Sequence, residues 1–139
     1  MILSLDTNAL IELVNRRRQR VLHEFDAAQA RGDEMFVSVL AAYELRFGAR
    51  FGGRRGEIDA AEALLAQFPI VPFTEPDAEA TTQVRLALEA VGQRIGAMDM
   101  LIAGQAINRG WAVVTANVHE FDRVDGLQVI DWTAASQSP

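Results

Sequence analysis

Five short runs of β-type residues punctuate the chain, at Met1 to Leu5, Met35 to Val39, Ile70 to Phe73, Ala112 to Thr115 and Leu127 to Ile130. Between them the apolar positions adopt the spacing of helices that face a core. Strands alternating with helices predict an α/β fold of three layers, with a central parallel sheet of about five strands flanked by helices. The punctuation agrees. Ser38 can cap one helix, Pro76 sits near the first turn of another, and Gly32, Gly92 and Gly110 fall where C-terminal glycines belong. The stripe Ala80, Val84, Ala87, Leu88 and Val91 reads as core, as do Val39, Leu40, Tyr43 and Phe47 on the helix after the second run. A later helix shows Met98, Leu101, Ile102 and Ala106 as its apolar face. No repeat and no linker divides the chain, so residues 1–139 read as a single domain.

Composition narrows the chemistry. The chain has no cysteine, which excludes disulfides, thiolate metal sites and thiol nucleophiles and suits a reducing cytoplasm. No apolar run approaches the ~20 residues needed to span a bilayer, and the first residues run straight into Asp6 without a basic segment, so a cytoplasmic protein with no membrane partner is expected. The net charge is -6. Any contact with nucleic acid must therefore be local rather than a matter of bulk attraction. All 13 basic residues are arginine, which excludes Schiff bases, lysine general bases and lysine-dependent phosphate sites. Receiver-like phosphoacceptors and haloacid-dehalogenase-type phosphatases share the layout and a first-strand aspartate, but both use a lysine.

In "MILSLDTNALIEL" the first strand ends on Asp6, followed by Thr7, Asn8 and a helix with Leu10, Leu13 and Val14. Asp6 can cap that helix or serve as a ligand, and Asp, Thr and Asn all cap well. Three further positions stand in similar places. Glu44 borders an apolar helix face, where a carboxylate needs a partner. Asp99 lies in the first turn of a helix, and "WAVVTANVHEF" ends its strand on Thr115, with Asn117 beginning the loop. Ligands of open parallel sheets bind outside the carboxyl ends of the strands, where Asp6, Thr115 and Asn117 are expected and which Asp99 can join. Converging carboxylates repel unless they hold a cation, and oxygen donors alone favour Mg²⁺ or Mn²⁺. Water activated by such an ion can attack a phosphodiester. Neither histidine is needed: His23 reads as a surface or packing residue, and His119 lies in the loop beyond Asn117.

With these motifs assembled, the chain resembles a PIN-domain ribonuclease of the VapC toxin type from end to end: "LDTN", "ELRFG", "DMLIAGQA", "VTANVHEF" and a closing "LQVIDW", in that order. The resemblance implies a metal-dependent endoribonuclease, the toxin of a type II toxin–antitoxin pair. Asp6, Glu44 and Asp99 would be the catalytic and metal-binding acids. Asn117 would complete the catalytic set, with Thr115 and Asn8 in support. Many PIN domains carry a fourth aspartate where this chain has Asn117, which leaves one metal ion or two. The implied partners are an RNA substrate, a small antitoxin and a second copy of the chain in a homodimer. The alternative is a PIN-fold binding module with a degenerate, non-catalytic site.

RNA crossing an acidic site needs local cations. The candidates are Arg16, Arg17, Arg18 and Arg20 beyond the first helix, or Arg46, Arg50, Arg54 and Arg55, the favoured group because it follows Glu44. The "RFGGRRG" stretch from Arg50 to Gly56 reads either as a solvated connector between helices or as an RNA or partner contact. Leu13 and Phe47 are expected to be partly exposed and covered by the antitoxin, a cation of which would reach the carboxylates.

Overall fold

The computed structural model describes residues 1–134 as five strands and seven helices. The strands are β1 (Ile2–Leu5), β2 (Glu34–Ser38), β3 (Ile70–Val71), β4 (Ala112–Val114) and β5 (Val129–Ile130). The helices are α1 (Thr7–Asn15), α2 (Gln19–Ala30), α3 (Val39–Gly52), α4 (Arg55–Leu65), α5 (Glu75–Ala90), α6 (Ala97–Arg109) and α7 (Val118–Phe121). Each expected β-type run coincides with a strand, although β2 lies one residue earlier than expected, with Val39 opening α3, and β3 and β5 keep only two residues of their runs. Every pairing is parallel, in the order β3-β2-β1-β4-β5. Parallel strands covered on both faces have no solvent side, which is why Leu3, Leu5, Val37, Val113 and Val114 are all buried.

This strand order makes β1 the switch point. The chain leaves β1 for β2 on one side and returns later to β4 on the other, opening a crevice beyond the carboxyl ends of β1 and β4. The backbone N–H of Asp6 donates to the Val114 carbonyl at 3.0 Å, extending the β1–β4 ladder to the edge of the crevice. The first residue past the strand is thereby held as firmly as the strand.

Helix faces depart from the hydrophobic reading in two places. On α3 the buried residues are Ala41, Ala42 and Leu45, whereas Tyr43 and Phe47 are 58% and 60% exposed. Small side chains let a helix approach its neighbours closely, and two alanines with no exposure mark that contact. The larger residues form an opposite, outward stripe, where the Phe47 and Phe51 rings stack at 5.7 Å. On α5 only Val84 and Leu88 of the expected stripe are buried; Ala87 and Val91 face solvent along a groove against the C-terminal end of α6. The α5–α6 contact is instead made where Gly104 meets Thr81. Leu13, expected at the surface, is buried at 5% exposure because α1 turns it inward with Ala9 and Leu10.

A buried carboxylate ties α5 to α6. Asp77, in the first turn of α5, has no exposed surface. It accepts hydrogen bonds from the Thr74 N–H, Gln105 Nε2, Asn108 Nδ2 and the Arg109 guanidinium at 2.8 to 3.2 Å. Burial opposes ionisation, but donation from Arg109, Thr74, Asn108 and Gln105 prevails and holds the carboxyl well below the usual range. The "RFGGRRG" stretch is mostly helical: α3 runs to Gly52, Gly53 turns with φ of 72°, and α4 begins at Arg55.

Candidate active site

One continuous hydrogen-bonded chain links most of the expected site residues. Asp6 is the N-cap of α1 and is 2% exposed. Its Oδ1 accepts from the Thr7 N–H at 2.8 Å, and its Oδ2 accepts from the Thr115 hydroxyl at 2.8 Å. Capping and a second task thus divide between its two oxygens. Thr7 donates from Oγ1 to Glu44 Oε1 at 2.6 Å, which brings α3 against the start of α1. Beyond Asp6, Thr115 Oγ1 accepts from the Asn117 N–H at 2.9 Å. The Asn117 amide then donates to Asp99 Oδ2 at 2.9 Å and to Glu120 Oε2 at 2.8 Å. Asn8, one residue along α1, is exposed and borders a small cleft with Thr115 and Ala116.

Glu120 was not among the expected residues. It lies three positions past Asn117 on α7, one helical turn away, so the Asn–x–x–Glu spacing was its sequence signal. Asn117 is the N-cap of α7, and His119 stands on that helix rather than in a loop, exposed and 3.1 Å from Arg123. His23 is exposed on α2. The missing fourth aspartate thus has a counterpart nearby: an amide at position 117 bridges two carboxylates where a third charge would repel both.

The electrostatics describe acids short of cations. Burial raises the Asp6 carboxyl above its ordinary value, with the Glu44 charge adding to it, while Thr115 and Thr7 donate against the rise. For Asp99, burial, the hydrogen bond shared with Glu120 and the charges of Asp6 and Glu120 push the carboxyl up to about 7, against donation from Asn117. Glu120 is correspondingly lowered, first by the hydrogen bond with Asp99 and next by the one from Asn117. Of the two, Asp99 is the one whose ionisation is opposed. Asp6 stands between the two halves of the cluster, its charge felt by Asp99 and the Glu44 charge felt by it. Among the described residues, no three acidic or histidine side chains are gathered tightly enough to enclose an ion. The donor set is nonetheless oxygen-only, anionic and mutually repelling, which fits a hard divalent cation.

The arginines expected to meet RNA lie along α3 and α4, each facing an acid. Arg46 Nε donates to Glu62 at 2.9 Å and Arg50 approaches the same carboxylate at 3.6 Å. Arg54 pairs with Glu57 at 3.5 Å and Arg55 with Asp59 at 3.3 Å. Between α1, α3 and α4 runs a groove of about 300 Å³ lined by Ile11, Val14, Leu45, Gly48 and Ala61, with Glu44 on its rim. No helix among the described residues is long and apolar enough to cross a membrane.

Comparison with known proteins places this geometry. The family model described as PIN domain matches residues 3–127. The chain is 31% identical over 130 residues to the tRNA(fMet)-specific endonuclease VapC of Shigella flexneri, covering 93% of this chain and 96% of the relative. It is 32% identical over 135 residues to ribonuclease VapC1 of Haemophilus influenzae strain R2866, covering 96% and 99%. Among solved structures, VapBC2 from Rickettsia felis bound to a DNA fragment from its promoter superposes with a TM-score of 0.85 at 25% identity, covering 95% of this chain and 99% of that one.

Proposed function

The chain belongs to the PIN-domain family, and on that premise we propose that it is an endoribonuclease, the toxin of a toxin–antitoxin pair, with Asp6, Glu44, Asp99 and Asn117 at its catalytic centre. One observation carries the reading. A single hydrogen-bonded chain runs from Glu44 through Thr7, Asp6, Thr115 and Asn117 to Asp99 and Glu120, gathering acids from three helices and the end of β1 at the switch point of the sheet. A structural role would satisfy these acids with cations, as Asp77 is satisfied by Arg109.

Asp6, Glu44 and Asp99 would hold Mg²⁺ or Mn²⁺, with Glu120 beside them; when bound, such an ion offsets the developing charge on a phosphodiester and promotes attack by water. The remaining work belongs to the chain. Thr115 and Thr7 hold the Asp6 and Glu44 carboxylates in a fixed geometry. Asn117 keeps Asp99 and Glu120 together without adding charge. Burial and the neighbouring acids oppose the ionisation of Asp99, a cost that a bound cation would offset. RNA is the substrate class, and a tRNA is the first substrate to test because a relative is named for tRNA(fMet).

The antitoxin is expected in the groove between α1, α3 and α4, where an apolar segment would bring a basic side chain to Glu44. Phe47 remains available to it at the surface, whereas Leu13 does not. Tyr43 and Phe51, exposed on the same helix, offer apolar area for the homodimer that the resemblance implies. Incubating the purified protein with tRNA in Mn²⁺, Mg²⁺ or EDTA tests the function. Cleavage in metal, lost in EDTA and in Asp6→Asn, supports it. No cleavage of any cellular RNA and no heat on Mn²⁺ titration would leave a PIN fold kept for protein contacts.

A further inference from the structure

Arg123 lies three residues beyond Glu120, close enough for its charge to be felt there, yet its guanidinium hydrogen-bonds elsewhere. One amino group donates to the carbonyl of Arg94 at 2.6 Å, and the other lies 3.1 Å from Nε2 of His119. Arg94 belongs to the segment that leads from α5 into α6. Its own side chain is turned away and pairs with Glu89 at 3.1 Å. Arg123 thus grips this segment just where, two residues on, the Gly96 backbone passes beside the Glu120 carboxylate.

The grip matters because α6, which carries Asp99, starts at the end of this segment. Gly96 is the N-cap of α6, and its carbonyl accepts from the Met100 N–H at 2.9 Å, closing the turn that contains Asp99. A Cβ built on Gly96 would lie 3.6 Å from Asp99 Oδ2 and 3.8 Å from Glu120 Oε2, which shows how near this backbone runs to both acids. Residues 91 to 94 are exposed, and Ile95, at 8% exposure, is the apolar anchor of the stretch. A charge-assisted hydrogen bond to a carbonyl on an otherwise exposed segment is a strong local restraint.

We propose that Arg123 is a positioning residue of the acidic site: by tethering the Arg94 carbonyl to the turn that follows α7 it sets the start of α6, and with it the separation of Asp99 from Asn117 and Glu120. The inference rests on the nuclease reading above only for the meaning of the site; the tether is a matter of local structure. Two roles for the side chain have opposite signatures. If Arg123 acted through its charge alone, removing it would leave the cluster more negative, and a divalent cation would bind more tightly. If Arg123 positions α6, removing it loosens the donor geometry and the cation binds more weakly.

The test uses the full chain, metal-free, as wild type, Arg123→Met, Arg123→Lys and His119→Ala. Methionine keeps the apolar stem that packs beside Val124, so folding is preserved, and melting curves check that it is. Mn²⁺ titration by calorimetry is paired with hydrogen exchange of the amides from Arg94 to Met100 and with kcat and KM for RNA cleavage. Arg123→Met is expected to weaken Mn²⁺ binding about tenfold, the equivalent of one charge-assisted hydrogen bond, and to speed exchange of these amides. It should lower kcat more than it raises KM. Arg123→Lys should recover most of each effect, and His119→Ala should change little. Equal or tighter Mn²⁺ binding in Arg123→Met, with unchanged exchange, would overturn the proposal. A wild type that neither binds Mn²⁺ nor cleaves RNA would sink the nuclease reading instead, while amide exchange, which needs no metal, would still decide whether the tether exists.

Discussion

Thr115 at the end of β4 donates its hydroxyl to Asp6 at the end of β1 over 2.8 Å, joining side chains 109 residues apart at the centre of the sheet. The contact gives Asp6 a partner outside the helix it caps. An N-cap needs one oxygen, which the Thr7 N–H already occupies; the second is held by a threonine that has no part in α1.

Asp6→Asn therefore separates two roles. Asparagine caps about as well as aspartate, so melting temperature should hold or rise as carboxylate repulsion is relieved. Cleavage and Mn²⁺ affinity should collapse. Asp99→Asn should do the same, and the double variant should add little to either, because residues acting as one unit are not additive. Single variants that cleave RNA at wild-type rates with unchanged metal dependence would reduce Asp6 to a cap.

The metal-free protein should lose stability as pH rises. Folding raises the Asp99 carboxyl from its ordinary value to about 7. The folded state then binds the proton more tightly than the unfolded state, so the contribution of this group is full below about 4 and is lost as pH climbs through about 7. Melting curves in EDTA between pH 5 and pH 8 should show a fall that Asp99→Asn lacks. Mn²⁺ at pH 8 should reverse it in the wild type, as expected of a ligand that binds only the folded protein. An equal fall in Asp99→Asn would assign the slope to other groups.

Gly104→Ala should be among the most damaging single changes outside the site. A Cβ there would collide with Thr81, meeting its Oγ1 and its Cα at 2.6 Å, so shortening the threonine does not clear the clash. Overpacking of this kind costs about 1–3 kcal/mol, and a backbone collision lies at the upper end. Urea denaturation reads the loss directly. Because α6 carries Asp99, activity should fall even in the fraction that remains folded.

The arginines of α3 and α4 should divide by how they are held. Arg54 and Arg55 are 80% and 84% exposed in their ion pairs, an arrangement worth little in water and easily exchanged for a phosphate. Replacing both with glutamine should weaken RNA binding and flatten its dependence on salt, with folding intact. Arg46, which meets both oxygens of Glu62 at 2.9 and 3.1 Å, should matter more to the α3–α4 contact than to RNA. Equal RNA affinity of the Arg54/Arg55 double variant at two salt concentrations would discard this surface.

Alternation of β-type runs with helical spacing was enough to establish five parallel strands between layers of helices, because a short apolar run and a helical period are both local properties of the chain. Asp6, Thr115 and Asn117 were legible for the same reason: each stands at or just past a strand end, where parallel sheets present their ligands. Tertiary structure decided what depends on distance across the fold. It chose Ala41 and Ala42 over Tyr43 and Phe47 as the inner face of α3, since close approach favours small side chains, and no period along the helix distinguishes the two faces. It brought Glu120 and Asp99 onto the same Asn117 amide, a pairing of acids that no spacing encodes. It also turned Arg123 from its neighbouring carboxylate to the Arg94 carbonyl. Hydrophobic period is written residue by residue, whereas the partner of a polar group is set by which distant segments the core draws together.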